Sequence, residues 1–206
     1  MSNLITDILA PKIDLKLTVG LYFGTFNPIH IGHLAIANYM VEYSCINQLW
    51  FVVSPQNPFK KKANLLDDYQ RLEMVHRAVG SDFRFRVSSI EFNLPKPSYT
   101  IDTLTYLKEK YPKYQFKILM GSDNIEELHK WKNYKQILDN YGILVYPRPG
   151  FDNFKTELHP NISIINAPMM DISSSFIRNA IHEGKDVRYY VPPKTWEYID
   201  EMSFYR

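Results

Sequence analysis

Short apolar runs alternate with stripes of helical period along most of the sequence, and few architectures accept that order. Leu17 to Phe23 reads as a buried strand. After the turn residues Gly24 to Pro28, a mostly apolar helix runs from about Gly32 to Tyr43, with Leu34, Ala37 and Val41 on one face. A second β-like run, Leu49 to Val53, stops at Ser54-Pro55, where proline ends the ladder. The unit is strand, helix, strand, which implies parallel pairing. Further on, Leu72, Val75, His76 and Val79 form a helical stripe, Arg84 to Ile90 a strand, and Ile101, Leu104 and Leu107 another stripe. Phe116 to Met120, Gly142 to Tyr146 and Ile162 to Ile165 add strands, while Ser174 to Glu183 and Thr195 to Met202 add helices, the first of these started by serines. This order predicts an open, mostly parallel sheet covered by helices on both faces. In such sheets ligands bind beyond the carboxyl ends of the strands, where strand order reverses. The first turn, Phe23 to Gly32, lies at such an end.

The 206 residues, 45% of them hydrophobic, suffice for one sizeable core and are too few for two full-sized domains. We therefore expect a single domain over 1–206, with its core from about residue 17 and an N-terminal extension over 1–16. Lys and Arg number 24 against 22 Asp and Glu, so a long polyanion is not the expected partner. A lone Cys45 excludes an intrachain disulfide, and no Cys/His cluster has zinc-ligand spacing. Neither a secretory h-region nor an apolar run long enough for a membrane span is found. The expectation is a cytoplasmic protein that needs neither membrane nor nucleic acid, with homo-oligomerisation left open.

Two segments carry chemistry. Gly24-Thr25-Phe26-Asn27-Pro28-Ile29-His30-Ile31-Gly32-His33 lies between the first strand and first helix, where backbone amides and the helix dipole favour an anion. Gly24 and Gly32 let backbone approach a ligand, and His30 and His33 can donate to phosphate oxygens that gain charge as a phosphoryl bond breaks. In Ile172-Ser173-Ser174-Ser175-Phe176-Ile177-Arg178, serines at a helix start offer hydroxyls and amides. Arg178, one turn on, adds a guanidinium fork.

The first segment resembles the GxFxPxHxGH motif of nucleotidyltransferases marked by an HxGH pair, and the second resembles their ISSTxIR motif with Ser175 for threonine. Phe23 stands where a second glycine is usual, and Asn27 where aspartate is usual. Other segments resemble nicotinate-nucleotide adenylyltransferases in particular. These are Pro97-Ser98-Tyr99-Thr100 with Asp102-Thr103-Leu104, Gly121-Ser122-Asp123 followed by Trp131, Arg148-Pro149-Gly150, and the closing Tyr205-Arg206. Ser54 to Lys60 takes the place of that family's PNxxPPHK loop, shorter and with Phe59 for histidine.

The resemblance implies a Rossmann-like, doubly wound fold and transfer of AMP from ATP to nicotinate mononucleotide, with Mg²⁺ carried by the ATP phosphates rather than by a protein metal site. His30, His33, Lys60 and Arg178 would be catalytic. Gly24, Thr25, Phe26, Gly32, Gly121, Asp123, Ser173, Ser174 and Ser175 would bind ATP. Ser98, Tyr99, Thr100, Trp131 and Arg148 would bind the nicotinate nucleotide, with the ring stacked on Trp131. Nicotinamide mononucleotide, phosphopantetheine or glycerol phosphate are alternative acceptors. A regulator that binds nucleotide without turnover is the alternative of a different class.

Overall fold

The computed structural model describes residues 17–55, 65–95, 97–150 and 159–206. Among these residues six strands, β1 (Leu17–Gly24), β2 (Gln48–Val53), β3 (Phe85–Ser88), β4 (Tyr114–Gly121), β5 (Ile143–Tyr146) and β6 (Ile162–Ile164), form one sheet in the order β3-β2-β1-β4-β5-β6. Every pairing is parallel, so the sheet exceeds the expectation of a mostly parallel one. The order reverses between β1 and β4, and that junction places the ligand crevice beyond Gly24 and Gly121.

Among the described residues, seven helices accompany the strands: α1 (Ile31–Tyr43), α2 (Asp68–Val79), α3 (Thr100–Lys110), α4 (Ser122–Ile125), α5 (Tyr134–Asn140), α6 (Ser174–His182) and α7 (Pro193–Glu201). None is long and apolar enough to cross a membrane. Strand residues alternate between two cores, as pleating requires. Tyr22, Leu49, Phe51, Val53, Leu119, Leu144 and Tyr146 pack with Met40 of α1, Met74 of α2, Ile177 of α6 and Ile199 of α7. Leu21, Trp50, Val52, Ile118, Met120, Ile143 and Val145 pack instead with Leu104 and Leu107 of α3 and Ile137 of α5. Both faces of the sheet are therefore covered, which is why its strands read as near-continuous apolar runs.

Several local expectations are corrected. The buried face of α1 is Ile36, Ala37 and Met40, with Leu34 and Val41 only flanking it. In α2 the inward residues are Arg71, Met74 and Val75, while His76 is exposed. A stripe drawn only through apolar residues passes over a buried arginine. The third strand ends at Ser88 rather than Ile90, because Ile90–Asn93 tightens into a 3-10 turn that buries Glu91. The last helix begins at Pro193, a residue suited to the first helical position. Helices α4 and α5, both short, have no counterpart in the sequence reading.

Candidate active site

The turn after β1 brings two distant motifs together. Ser174 Oγ donates to the Pro28 carbonyl at 2.9 Å, and the Arg178 guanidinium donates to the Asn27 carbonyl at 2.8 Å and to Ser175 Oγ at 3.2 Å. Ser173 caps α6 by accepting from the Phe176 amide at 3.1 Å. The start of α6 is thus docked on the segment that leads into α1, and two helix N-termini meet at one crevice.

His30 is the N-cap of α1 and is 5% exposed. Its ring stacks on that of His33, with centroids 3.7 Å apart. A side chain at position 32 would put a Cβ 3.1 Å from His30 Nδ1, so glycine is what lets the imidazole lie against the helix start. The His30 amide donates to His33 Nδ1 at 3.2 Å, which leaves the proton of a neutral His33 on Nε2. Burial, and then the positive charge of Arg148, lower the His30 pKa from 6.5 to about 4. Burial also lowers that of His33 well below its ordinary value, helped by His30 and Arg148. Both rings are neutral hydrogen-bonding groups at pH 7. His30 Nδ1 is buried and has no hydrogen-bond partner among the described residues, a cost that an incoming polar group would relieve.

Tyr22, Gly32, Tyr146, Arg148, Met170 and Ile172 are among the residues that line a cavity with these histidines. Arg148 therefore sits with the HxGH pair, whereas Ser98, Tyr99 and Thr100, its expected companions, do not line this cavity. Its backbone amide donates to Ser122 Oγ at 2.9 Å, and its Nε lies 3.7 Å from Asp123 Oδ1. A Cβ at position 121 would fall 3.0 Å from the Arg148 side chain and closer still to Asp123, so Gly121 keeps this pair together. Beneath it, the hydroxyls of Tyr22 and Tyr146 hydrogen-bond at 2.9 Å.

Thr25 and Phe26 also hold the turn in place from within. The Phe26 ring is buried edge-on against Tyr22, His33 and Phe51, so only its backbone can meet a ligand. The Thr25 carbonyl accepts from Arg71 at 2.6 Å. Arg71, wholly buried, also donates to the carbonyls of Ser54, Pro55 and Leu66 and to Asp68, and so ties the turn after β1 to the loop after β2.

A second cluster forms at the start of α3. Buried Glu91 accepts from Thr103 Oγ1 at 2.8 Å and from Ser98 Oγ at 3.5 Å, with Ser54 as a third partner, and burial raises its pKa. It anchors Ser98-Tyr99-Thr100. Lys132 Nζ lies 4.6 Å above the Tyr99 ring centroid and 3.1 Å from Asp102, which brings the Trp131 segment beside Tyr99. Trp131 is half-buried and packs against the core shared by α3 and α5. Lys60, like residues 1–16, lies outside the described residues. Sequence reasoning missed Arg71, Glu91, Tyr22 and Tyr146. Arg71 and Glu91 interrupt apolar stripes, which was their available signal, whereas the two tyrosines read only as strand filler.

A parallel sheet with this crevice and this histidine turn defines a nucleotidyltransferase, and the cytidylyltransferase-like family model matches residues 21–180. Curated relatives narrow the class. The chain is 55% identical to the probable nicotinate-nucleotide adenylyltransferase of Flavobacterium johnsoniae over 91% of this chain and 98% of that one. With that of Bacteroides fragilis it shares 47% identity over 91% and 94% of the two chains. It belongs to the nicotinate-nucleotide adenylyltransferase family. Among solved structures it resembles Plasmodium falciparum nicotinic acid mononucleotide adenylyltransferase complexed with NaAD. The TM-score is 0.77 at 22% identity, over 92% of this chain and 97% of that one, which is a likeness of fold.

Proposed function

We propose that this enzyme transfers the AMP moiety of ATP to nicotinate mononucleotide, forming nicotinate adenine dinucleotide and pyrophosphate in the cytoplasm. The observation that carries the reading is the docking of Ser174 and Arg178 on the turn that bears His30 and His33. ATP enters as its Mg²⁺ complex, with the ion on the phosphates; among the described residues no group of three or more His, Cys, Asp or Glu converges on one point. A phosphate oxygen of the mononucleotide attacks the α-phosphorus in line, one P–O bond forms, and the bond to the pyrophosphate oxygen breaks. The reaction needs no protein nucleophile. His33 Nε2–H and the orphaned Nδ1 of His30, when it carries the proton, are the neutral donors for oxygens that gain charge.

The amides at the start of α6, with Gly24, Thr25, Gly32 and the Phe26 backbone, receive the triphosphate, and Arg178 shares its fork between the Asn27 carbonyl and a phosphate. Arg148 lines the cavity of the histidines with Asp123 paired to it, and Asp123 can accept from a ribose hydroxyl. Tyr99, Thr100 and Trp131 would hold the nicotinate ring and carboxylate.

Initial rates of pyrophosphate release with nicotinate mononucleotide, nicotinamide mononucleotide and phosphopantetheine test the reading. Fastest turnover of the nicotinate form is the expected result. A faster reaction with either other acceptor would move the substrate, and ATP binding without turnover of any acceptor would restore the non-catalytic alternative.

A further inference from the structure

The turn between β1 and α1 is held in a conformation it would not choose alone. Phe26 has φ +45°, a left-handed conformation that is unfavourable for a bulky L-residue. Such a backbone persists only when its surroundings fix it. Four side chains from outside the turn do so: Arg71 on the Thr25 carbonyl, Arg178 on that of Asn27, Ser174 on that of Pro28, and Tyr205 on the Asn27 side chain. The first also ties several loops of the fold. The second and third belong to the segment proposed to meet phosphates, so a bound nucleotide competes for their hydrogen bonds. Tyr205 has neither duty.

The Tyr205 hydroxyl donates to Asn27 Oδ1 at 2.9 Å across 178 positions of sequence, and the same oxygen accepts from the Leu66 amide at 3.4 Å. The segment that delivers it is shaped for the purpose. Ser203 and Tyr205 both have left-handed backbone, at φ +53° and +68°. The Phe204 amide returns to the Ile199 carbonyl at 3.0 Å, and the Phe204 ring is buried against Tyr198. Arg206 pairs with Asp200 on the outside. The residues after α7 therefore fold back against α2, where Tyr205 also touches the Met74 sulfur at 3.9 Å. Burial holds the phenol far above its usual range, so it stays a donor at every working pH. Left-handed backbone thus flanks both ends of one partly buried hydrogen bond. Packing of the ring alone would not require the hydroxyl to meet the one side chain of the turn that projects towards it.

We propose that Tyr205 is a positioning residue for adenylyl transfer: through its hydrogen bond to Asn27 it sets the turn that aims His30 and His33 at the nucleotide phosphates. The role rests on the function proposed above and adds a residue remote in sequence from either motif. It acts on geometry, so it governs the chemical step more than acceptor binding, since small misplacement of catalytic groups costs rate steeply.

The test is a double-mutant cycle on the full chain with Tyr205→Phe, Asn27→Ala and both together. Tyr205→Phe keeps the ring and removes only the donor. The expected result is a kcat about 10-fold lower with KM for the mononucleotide within about twofold, the equivalent of one net hydrogen bond lost in the transition state. In the Asn27→Ala background the same change should have no further effect on kcat, because its acceptor is gone. Wild-type kcat in Tyr205→Phe, or two losses that multiply, would overturn the proposal. If Tyr205→Phe does not fold, Asn27→Ala alone decides: a lower kcat at unchanged KM supports the latch, and unaltered kcat refutes it. Turnover by the wild type tests the assigned reaction. The ratio of variant to wild type tests the latch with whichever acceptor the wild type uses, so the two failures are distinct.

Discussion

Arg71→Met replaces a wholly buried guanidinium by an apolar side chain of similar length, and the structure sets the size of the effect. Five hydrogen bonds vanish: those to the carbonyls of Thr25, Ser54, Pro55 and Leu66, and the one to Asp68. A buried acceptor stripped of its donor costs ~1–3 kcal/mol, so four of them bound the loss at ~4–12 kcal/mol before relaxation. Breaking a buried ion pair by removing one partner costs ~3–5 kcal/mol. Asp68 is a quarter exposed and water can reach it, and loop carbonyls can turn outward, so the lower end applies. A loss of ~4 kcal/mol lowers Tm by roughly 8–16 °C in a chain of this size. Arg71→Lys should fall between, since one ammonium cannot reach all four carbonyls on the two loops. Thermal unfolding followed by near-ultraviolet circular dichroism, beside kcat at a temperature where all variants are folded, gives both readings. If Arg71→Met melted within ~3 °C of the wild type, the claim that this arginine ties the two active-site loops would be wrong.

Other substitutions separate chemistry from fold. His33→Ala should lower kcat at least ~100-fold, the usual loss on removing a transition-state donor, with thermal unfolding changed far less; near-normal turnover would contradict its role. Gly32→Ala drives a methyl group against the His30 ring and should lower kcat ~10-fold or more, to be read from initial rates at saturating ATP. Glu91→Gln, which disturbs the anchor of Ser98 and Thr103, should raise KM for the mononucleotide several-fold while KM for ATP stays within twofold; equal changes in both would argue for general loosening. The depressed pKa of His30 means that the unfolded chain binds more protons between pH 6.5 and about 4, so stability falls as pH drops through that window. His30→Gln should lose less Tm than the wild type between pH 7 and pH 5. Glu91 has the opposite sign but is present in both proteins and cancels in the comparison.

The alternation of strands and helices was legible because a parallel sheet buried on both faces makes each strand a compact apolar run, as in Leu49 to Val53. The two candidate phosphate-binding segments stood out because glycine, histidine and serine at helix starts have few other uses in such a pattern. Their contact did not, since a separation of 146 residues between Pro28 and Ser174 leaves no local trace. Short elements such as α4 and α5 escaped because four or seven residues carry too little period to stand out. Arg71 and Glu91 went unnoticed because arginine and glutamate are usually surface residues, and only the fold shows them buried. Arg148 was grouped with the acceptor residues by its motif, and its place beside the histidines, set by the path of β5, left no local trace.

The central claim is that the turn after β1 and the start of α6 act together to move AMP. ATP labelled separately at the α- and γ-phosphates, incubated with the purified enzyme and nicotinate mononucleotide, tests it most directly. The account predicts that α-label passes into the dinucleotide while γ-label leaves only as pyrophosphate. γ-Label on the mononucleotide, or α-label recovered as free AMP without dinucleotide, would contradict it.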